Sequence, residues 1–275
     1  MLTRVVAHYR RLAPHPDLAR LVEHYWTVSA PAPPEELRAI LIPNGRATLQ
    51  FCLGESGRRL QLGSAEERVN ADVFLPVTTE PCVLAQSGLS EYVGVQFTPC
   101  GPAMLWPNVP STPAPIGELS VDRPSAEALA DDPQAALDAW LLGMASSAEQ
   151  EHHDCALASE AVQLIEQDNE NLSVSDLAVT LAISRPTLYR AFVRWIGISP
   201  KQYIAVRRYC RFASALLTEA NGDSRSMLAA ASGYCDESHA AREFKRHTGM
   251  SARTFRHRLD GIAALMFRNP PAETA

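Results

Sequence analysis

No run of eighteen apolar residues occurs among the 275, so a membrane-spanning helix is excluded. Met1 to Arg11 has no apolar signal segment with a small-residue cleavage site, and the protein is expected to be soluble and cytoplasmic, with no membrane partner. Six cysteines are present (Cys52, Cys82, Cys100, Cys155, Cys210, Cys235), none in a CxxC pair. Reduced thiols in a reducing compartment follow, with a redox-sensing pair among them left open. Metal chemistry has little to build on: His152-His153-Asp154-Cys155 is the one dense ligand group, and adjacent residues on a flexible segment converge poorly on one ion. The first 145 residues hold only His8, His15 and His24, without the paired histidines of a β-barrel metalloenzyme. Gly88-Leu89-Ser90-Glu91-Tyr92 misses the second glycine of a nucleophile elbow and reads as a turn. No catalytic residue, metal site or cofactor is therefore expected. Only two residues are lysine, and an alanine- and arginine-rich chain of this kind suggests a GC-rich bacterial genome.

What the chain does contain is an internal repeat. The first copy runs Leu177-Ala178, Ile183, Leu188 to Phe192, and Gly197-Ile198-Ser199. The second runs Leu228-Ala229, Tyr234, Ala240 to Phe244, and Gly249-Met250-Ser251. The offset between copies is 51 up to Tyr234 and 52 from Arg242 onward, so one residue is inserted in the second turn. Shared spacing broken only at a turn indicates one supersecondary unit used twice. Ser173, Ser175 and Asp176 are N-cap candidates for a helix to Leu181, and Ser184 for the next, with Pro186 in its first turn. Gly197 ends that helix, a longer one runs from Ser199-Pro200 to about Leu217, and Asn221-Gly222-Asp223 breaks the chain before the second unit.

Charge singles out the same region. Residues 184–258 carry fourteen Lys/Arg and five Asp/Glu, a net +9 within a chain of net −6. One part of the molecule attracts a polyanion that the remainder repels. On the helix from Ser184, Leu188, Phe192 and Trp195 form one apolar stripe, and the opposite face holds Pro186, Arg190 and Val193 flanked by Thr187 and Tyr189. In the second copy Ala240 and Phe244 face inward and turn Ser238, Arg242 and Lys245 outward beside His239 and Ala241. Both exposed faces centre on an arginine, the side chain that bonds guanine O6 and N7 in the major groove. Base contacts are thus expected from Pro186, Thr187, Tyr189, Arg190, Ser238, Ala241 and Arg242. Phosphate contacts are expected from Arg185, Arg194, Arg207, Arg208, Arg211, Lys245 and Arg246. The helix from Ser199 to Leu217 spans roughly 28 Å and suits it to hold two reading helices near the 34–36 Å separation of successive major grooves.

Ahead of these helices, residues 38–99 read as short strands (Ala39–Ile42, Thr48–Leu53, Asp72–Leu75, Cys82–Ala85, Tyr92–Phe97) separated by turn signals at Pro43-Asn44-Gly45, Gly54 to Gly57 and Gly88. A sandwich or small barrel is implied. A Pro-rich stretch and a helix from about Pro124 to Met144 follow. The expected class is α+β in two domains: residues 1–145 β-rich, 146–157 linker, 158–262 all-helical with two helix-turn-helix units joined by a long helix, and 263–275 a tail. Trp26, Phe51, Phe74, Tyr92 and Phe97 are candidates to line an effector pocket in the β-rich domain.

Residues 158–259 resemble the DNA-binding domain of the AraC/XylS transcription regulators. The elements that match are Ser184-x-x-x-Leu188-x-Arg190-x-Phe192, Gly197-x-Ser199-Pro200-x-x-Tyr203, Gly233-Tyr234, Arg242-x-Phe244-Lys245-Arg246-x-x-Gly249-x-Ser251 and Phe255-Arg256. Ala240 departs from the bulky apolar residue usual there, and Ala252 from proline. The first departure predicts a less well packed second unit. Leu12 to Pro110 looks like an N-terminal module often found ahead of this domain. The resemblance implies a bacterial transcription factor, commonly an activator, that binds double-stranded promoter DNA. RNA polymerase, a small-molecule effector and a homodimer through the N-terminal domain are the further partners it implies. A second reading makes the β-rich domain an enzyme or partner-docking module that the helical domain only brings to DNA.

Overall fold

The computed structural model describes residues 7–61, 66–106, 108–145, 153–167, 172–218, 225–252 and 254–255. The expected Asn221-Gly222-Asp223 break, most of the linker and the C-terminal tail lie outside them.

Two antiparallel sheets form the first domain. The strands are β1 (His8–Leu12), β2 (Val22–Ala30), β3 (Leu37–Leu41), β4 (Thr48–Cys52), β5 (Gly57–Gln61), β6 (Glu67–Asn70), β7 (Val73–Leu75), β8 (Cys82–Gln86), β9 (Ser90–Phe97) and β10 (Ala114–Pro115). Their order is β1-β2-β9-β4-β7-β10 in the larger sheet and β3-β8-β5-β6 in the smaller. Period-two alternation gives the larger sheet two chemically different faces. Tyr25, Leu49, Phe51, Phe74, Val93, Val95 and Phe97 face outward under helices. Trp26, Gln50, Tyr92 and Gln96 face the smaller sheet. That inter-sheet layer is unusually polar: the Tyr92 hydroxyl lies 3.2 Å from Gln86 Oε1 and accepts from the Gly57 amide at 3.0 Å, and Gln50 Nε2 donates to Asn70 Oδ1 at 2.9 Å. The amide and hydroxyl groups of Gln50, Asn70, Gln86 and Tyr92 satisfy one another and the backbone, whereas the buried Trp26 indole N–H has no hydrogen-bond partner among the described residues.

Helices α1 (Gly101–Leu105), α2 (Ala126–Asp131) and α3 (Pro133–Ala145) belong to the same domain. Trp140 of α3 meets Phe51 edge to face at 5.7 Å, and Asp138 accepts the Tyr25 hydroxyl at 2.7 Å. The remaining helices are α4 (His153–Gln167), α5 (Val174–Thr180), α6 (Arg185–Trp195), α7 (Pro200–Thr218), α8 (Arg225–Ala231) and α9 (Glu237–Thr248). Helix α4 starts inside the stretch read as linker, its first apolar contact being the buried Cys155.

Buried side chains divide in a way that cuts across the domain boundary. One continuous core runs from the outer face of the larger sheet through α3 and α4 to α5, α6 and the start of α7. A separate core holds Tyr209, Phe212, Leu216, Ala229, Ala240, Phe244 and Phe255, with Ile42 of the β-rich domain packed against it. The first helix pair is thus fused to the β-rich domain, whereas the second has its own centre.

Candidate nucleic-acid interface

Helices α5 and α6 form the first helix-turn-helix. Ser173 and Asp176 make a reciprocal capping box on α5, each side chain satisfying the other's backbone amide. The turn is closed by the Ile183 amide on the Ala178 carbonyl at 3.0 Å, with Ala182 in the left-handed region at φ 53°. Ser184 then caps α6 by accepting the Thr187 amide at 3.2 Å.

The same bonds recur in α8 and α9. Tyr234 N donates to Ala229 O at 2.9 Å, and Gly233 takes the left-handed position at φ 84°. Asp236 caps α9 through the His239 amide at 2.6 Å. Ile183 corresponds to Tyr234 and Ser184 to Asp236, so the inserted residue is Cys235, which is exposed. Beyond α6 and α9, Gly197 and Gly249 both carry positive φ, and Ser199 and Ser251 both cap the segment that follows. Ala240, where a less well packed second unit was expected, lies within that unit's own core. It is fully buried, and Phe244 is enclosed edge-on by Phe212 at 5.6 Å and Phe255 at 5.0 Å, with Tyr209 at 5.5 Å.

On α6, Leu188, Ala191, Phe192 and Trp195 are buried, while Pro186, Tyr189, Arg190, Val193 and Arg194 are exposed, with Thr187 half-buried. Tyr189 and Val193 are large apolar side chains left 54% and 44% exposed on that crest. Val193 was not among the expected base contacts, although its angular position marks it. On α9, Ser238, Ala241, Arg242, Lys245 and Arg246 are exposed.

The arginines of α7 are placed differently. Arg207 is half-buried and donates to the Asn44 carbonyl at 3.0 Å while lying 3.3 Å from Glu166. Arg208 lies over the Tyr234 ring at 5.6 Å, and Arg211 donates to the Ile165 carbonyl at 3.3 Å. All three, expected at intervening phosphates, are half-buried and make contacts within the protein, where α7 packs against α4, the second unit and the loop after β3. Arg185, Arg194, Lys245 and Arg246 remain on the surface beside the exposed crests.

That loop contains Arg46, whose side chain is only 8% exposed. Its guanidinium donates to the Tyr203 hydroxyl at 2.6 Å, pairs with Glu166 at 2.7 Å and also holds Glu23. The Tyr203 hydroxyl donates in turn to Glu166 at 2.7 Å. Burial pushes the Glu166 carboxyl up, but Arg46 and then Arg207 outweigh it and hold the group below the usual carboxylate range. Elsewhere Cys210 Sγ donates to the Pro43 carbonyl at 3.4 Å, and His247 Nδ1 sits 2.9 Å from the Thr79 carbonyl. A lone arginine in a turn has no periodic signature, and its partner lies 157 residues away.

The five aromatics considered for an effector pocket are not brought together. Phe51, Phe74 and Phe97 are fully buried on the helix-covered face, where Trp106 meets the last two edge to face at 6.0 and 5.6 Å. Trp26 and Tyr92 point into the inter-sheet layer. Strand alternation separates them, since Phe51 pairs with Val93 and Cys52 with Tyr92 in the register of β4 and β9. An open groove of about 470 Å³ lined in part by Cys52, Ser56, Asp72, Ile116 and Arg123 includes none of the five. Among the described residues no two cysteines form a disulfide.

Residues 177–258 match the family model of a helix-turn-helix domain, and residues 10–112 match a domain of unknown function, DUF6597. Among solved structures, an AraC-type regulator from Chromobacterium violaceum is 27% identical over 37% of this chain and 90% of its own, with a TM-score of 0.34. ToxT from Vibrio cholerae is 10% identical over 94% of this chain and 100% of its own, with a TM-score of 0.49. A ToxT structure from Vibrio cholerae bound to an unsaturated fatty acid is 13% identical over 95% and 98% of the two chains, with a TM-score of 0.47. A comparison with curated proteins finds no match.

Proposed function

We propose, from the premise that residues 177–258 form a helix-turn-helix domain of the AraC type, that this chain is a sequence-specific transcription regulator placing α6 and α9 in successive major grooves. One observation carries the reading: two structurally equivalent helices each expose a central arginine, Arg190 and Arg242, within a region of net +9. Arg190 is the base reader of the first unit, with Pro186, Thr187 and Tyr189 beside it, and Arg242 that of the second, with Ser238 and Ala241. The exposed Tyr189 and Val193 suit thymine methyl groups, which offer the apolar contacts of the major groove. Arg185, Arg194, Lys245 and Arg246 take the phosphates on either side.

The β-rich domain serves as the input half, responding to a small-molecule effector. Its loop and helix contacts reach both reading units, so a change within it has a physical route to DNA affinity. Dimerisation through that domain and contact with RNA polymerase complete the reading. The test is fluorescence anisotropy on a site selected from random duplexes. Arg190→Ala is expected to lose about 1–3 kcal/mol of discrimination at one base pair while retaining non-specific affinity. Unchanged specificity would remove Arg190 from base reading.

A further inference from the structure

Five consecutive residues of the β-rich domain lie along the helix that joins the two reading units. Ile42 packs against the core of the second unit. The Pro43 carbonyl then accepts from Cys210, and the Asn44 carbonyl from Arg207. Gly45 sits against Tyr203, and Arg46 ends the run on Tyr203 and Glu166, within the core that contains the first unit. The loop therefore runs antiparallel to α7 from position 210 back to 203, about 10 Å at 1.5 Å per residue. It bridges the two buried cores alongside α7, and His247 of α9 adds a separate contact of the second unit with the β-rich domain at the Thr79 carbonyl.

The chemistry of this run is suited to fixing geometry more than to adding stability. A buried ion pair seldom outperforms apolar packing of the same volume. Arg46 is nevertheless buried, its planar donors divided among three directional partners from three elements: β2, α4 and α7. Gly45 has φ +79°, a left-handed conformation in which a side chain is strained, and a Cβ there would press on the Tyr203 ring at 3.2 Å, so glycine suits this close approach to α7. Asn44 anchors the loop on its other side. Its carboxamide accepts from the Arg46 amide at 2.9 Å and donates to Gln96 Oε1 at 3.4 Å, inside the inter-sheet layer.

We infer that the Ile42–Arg46 loop is a splint that fixes the placement of α6 relative to α9, making Arg46 and Ile42 positioning residues that set the half-site separation the protein accepts. The inference rests on the two-groove reading. It adds that the second unit, whose core is separate, is aligned by the β-rich domain as well as by α7. Because Gln96 holds Asn44, a rearrangement of the inter-sheet layer moves the splint and so shifts the preferred separation.

The experiment starts from a site selected with the full chain and inserts one or two base pairs between its half-sites, each rotating one half-site by about 35°. Affinities are measured for the natural chain, Arg46→Met, Arg46→Lys and Ile42→Ala, with circular dichroism and thermal denaturation to select folded variants. The natural chain is expected to lose about tenfold in affinity per inserted pair, and Arg46→Met less than about threefold. Arg46→Lys, which keeps the charge but not the fork, falls between them. A folded Arg46→Met protein with the natural spacing penalty overturns the inference while the two-groove reading stands. If Arg46→Met does not fold, Ile42→Ala decides in the same way. A natural chain indifferent to spacing overturns the two-groove reading, and the splint with it.

Discussion

His24 occupies an inter-sheet position on β2, paired in register with Gln96. Burial, reinforced by the nearby Arg11 and Arg46 guanidinium groups, lowers its pKa to about 3. The sign follows from linkage. Above pH 6.5 the ring is neutral in both folded and unfolded chains; below it the unfolded chain takes a proton that the folded one refuses. Stability is thus fully present above pH 6.5 and lost as pH falls toward 3, by up to about 1.4 kcal/mol per pH unit for one such histidine. His247, lowered by burial although the Thr79 carbonyl opposes this, slopes the same way. The depressed carboxyl of Glu166 acts only below its unfolded value near 4.5. Urea midpoints measured between pH 6.5 and 5 should therefore fall in the natural chain and fall less steeply in His24→Gln; equal slopes would refute the assignment. Residues of this kind were hard to see in sequence. Arg190 and Arg242 were visible because helical periodicity places them, whereas His24, Arg46 and Gln96 take their roles from partners distant along the chain.

Among the elements, the helix-turn-helix pairs were readable almost residue by residue. Their ends depend on local chemistry: a capping hydroxyl or carboxylate, a left-handed turn residue, a glycine after the last turn. Ser184 and Asp236 perform the same task 52 residues apart. Ser184→Ala and Asp236→Ala should each cost about 1 kcal/mol in chemical denaturation, by leaving one amide at the start of α6 or α9 without its cap. A loss confined to one of them would show that the repeat is not energetically equivalent. Strands were read less completely. Those over 37–41, 48–52, 73–75, 82–86 and 90–97 stood out, but β1, β2 and the β5–β6 hairpin did not. β2 carries Tyr25 and Trp26 on opposite faces, both buried, which erases the alternation that marks a half-exposed strand. β5 and β6 are short and charged, as Arg58 and Glu67 pair across them, and resemble a loop in composition.

At the scale of the whole molecule, the division into two domains was legible from composition, but the way they meet was not. A shared core and a buried Arg46 network join residues more than a hundred positions apart, and no local pattern announces such contacts. This junction changes what the basic charge of the helical domain does. Arg207, Arg208 and Arg211 are half-buried and make contacts within the protein, so under the proposed reading Arg185, Arg194, Lys245 and Arg246, which are exposed, are the first candidates to neutralise phosphates. Each phosphate contact releases counterions, so log affinity falls with log salt by about 0.9 per contact. Arg194→Ala should flatten that slope by about one and weaken all sequences alike. Arg207→Ala should leave the slope unchanged and instead relax the half-site spacing, because it releases the Asn44 carbonyl from α7. If Arg207→Ala flattened the slope as much as Arg194→Ala does, Arg207 would have to leave Asn44 and Glu166 on binding, and the splint would open when DNA arrives.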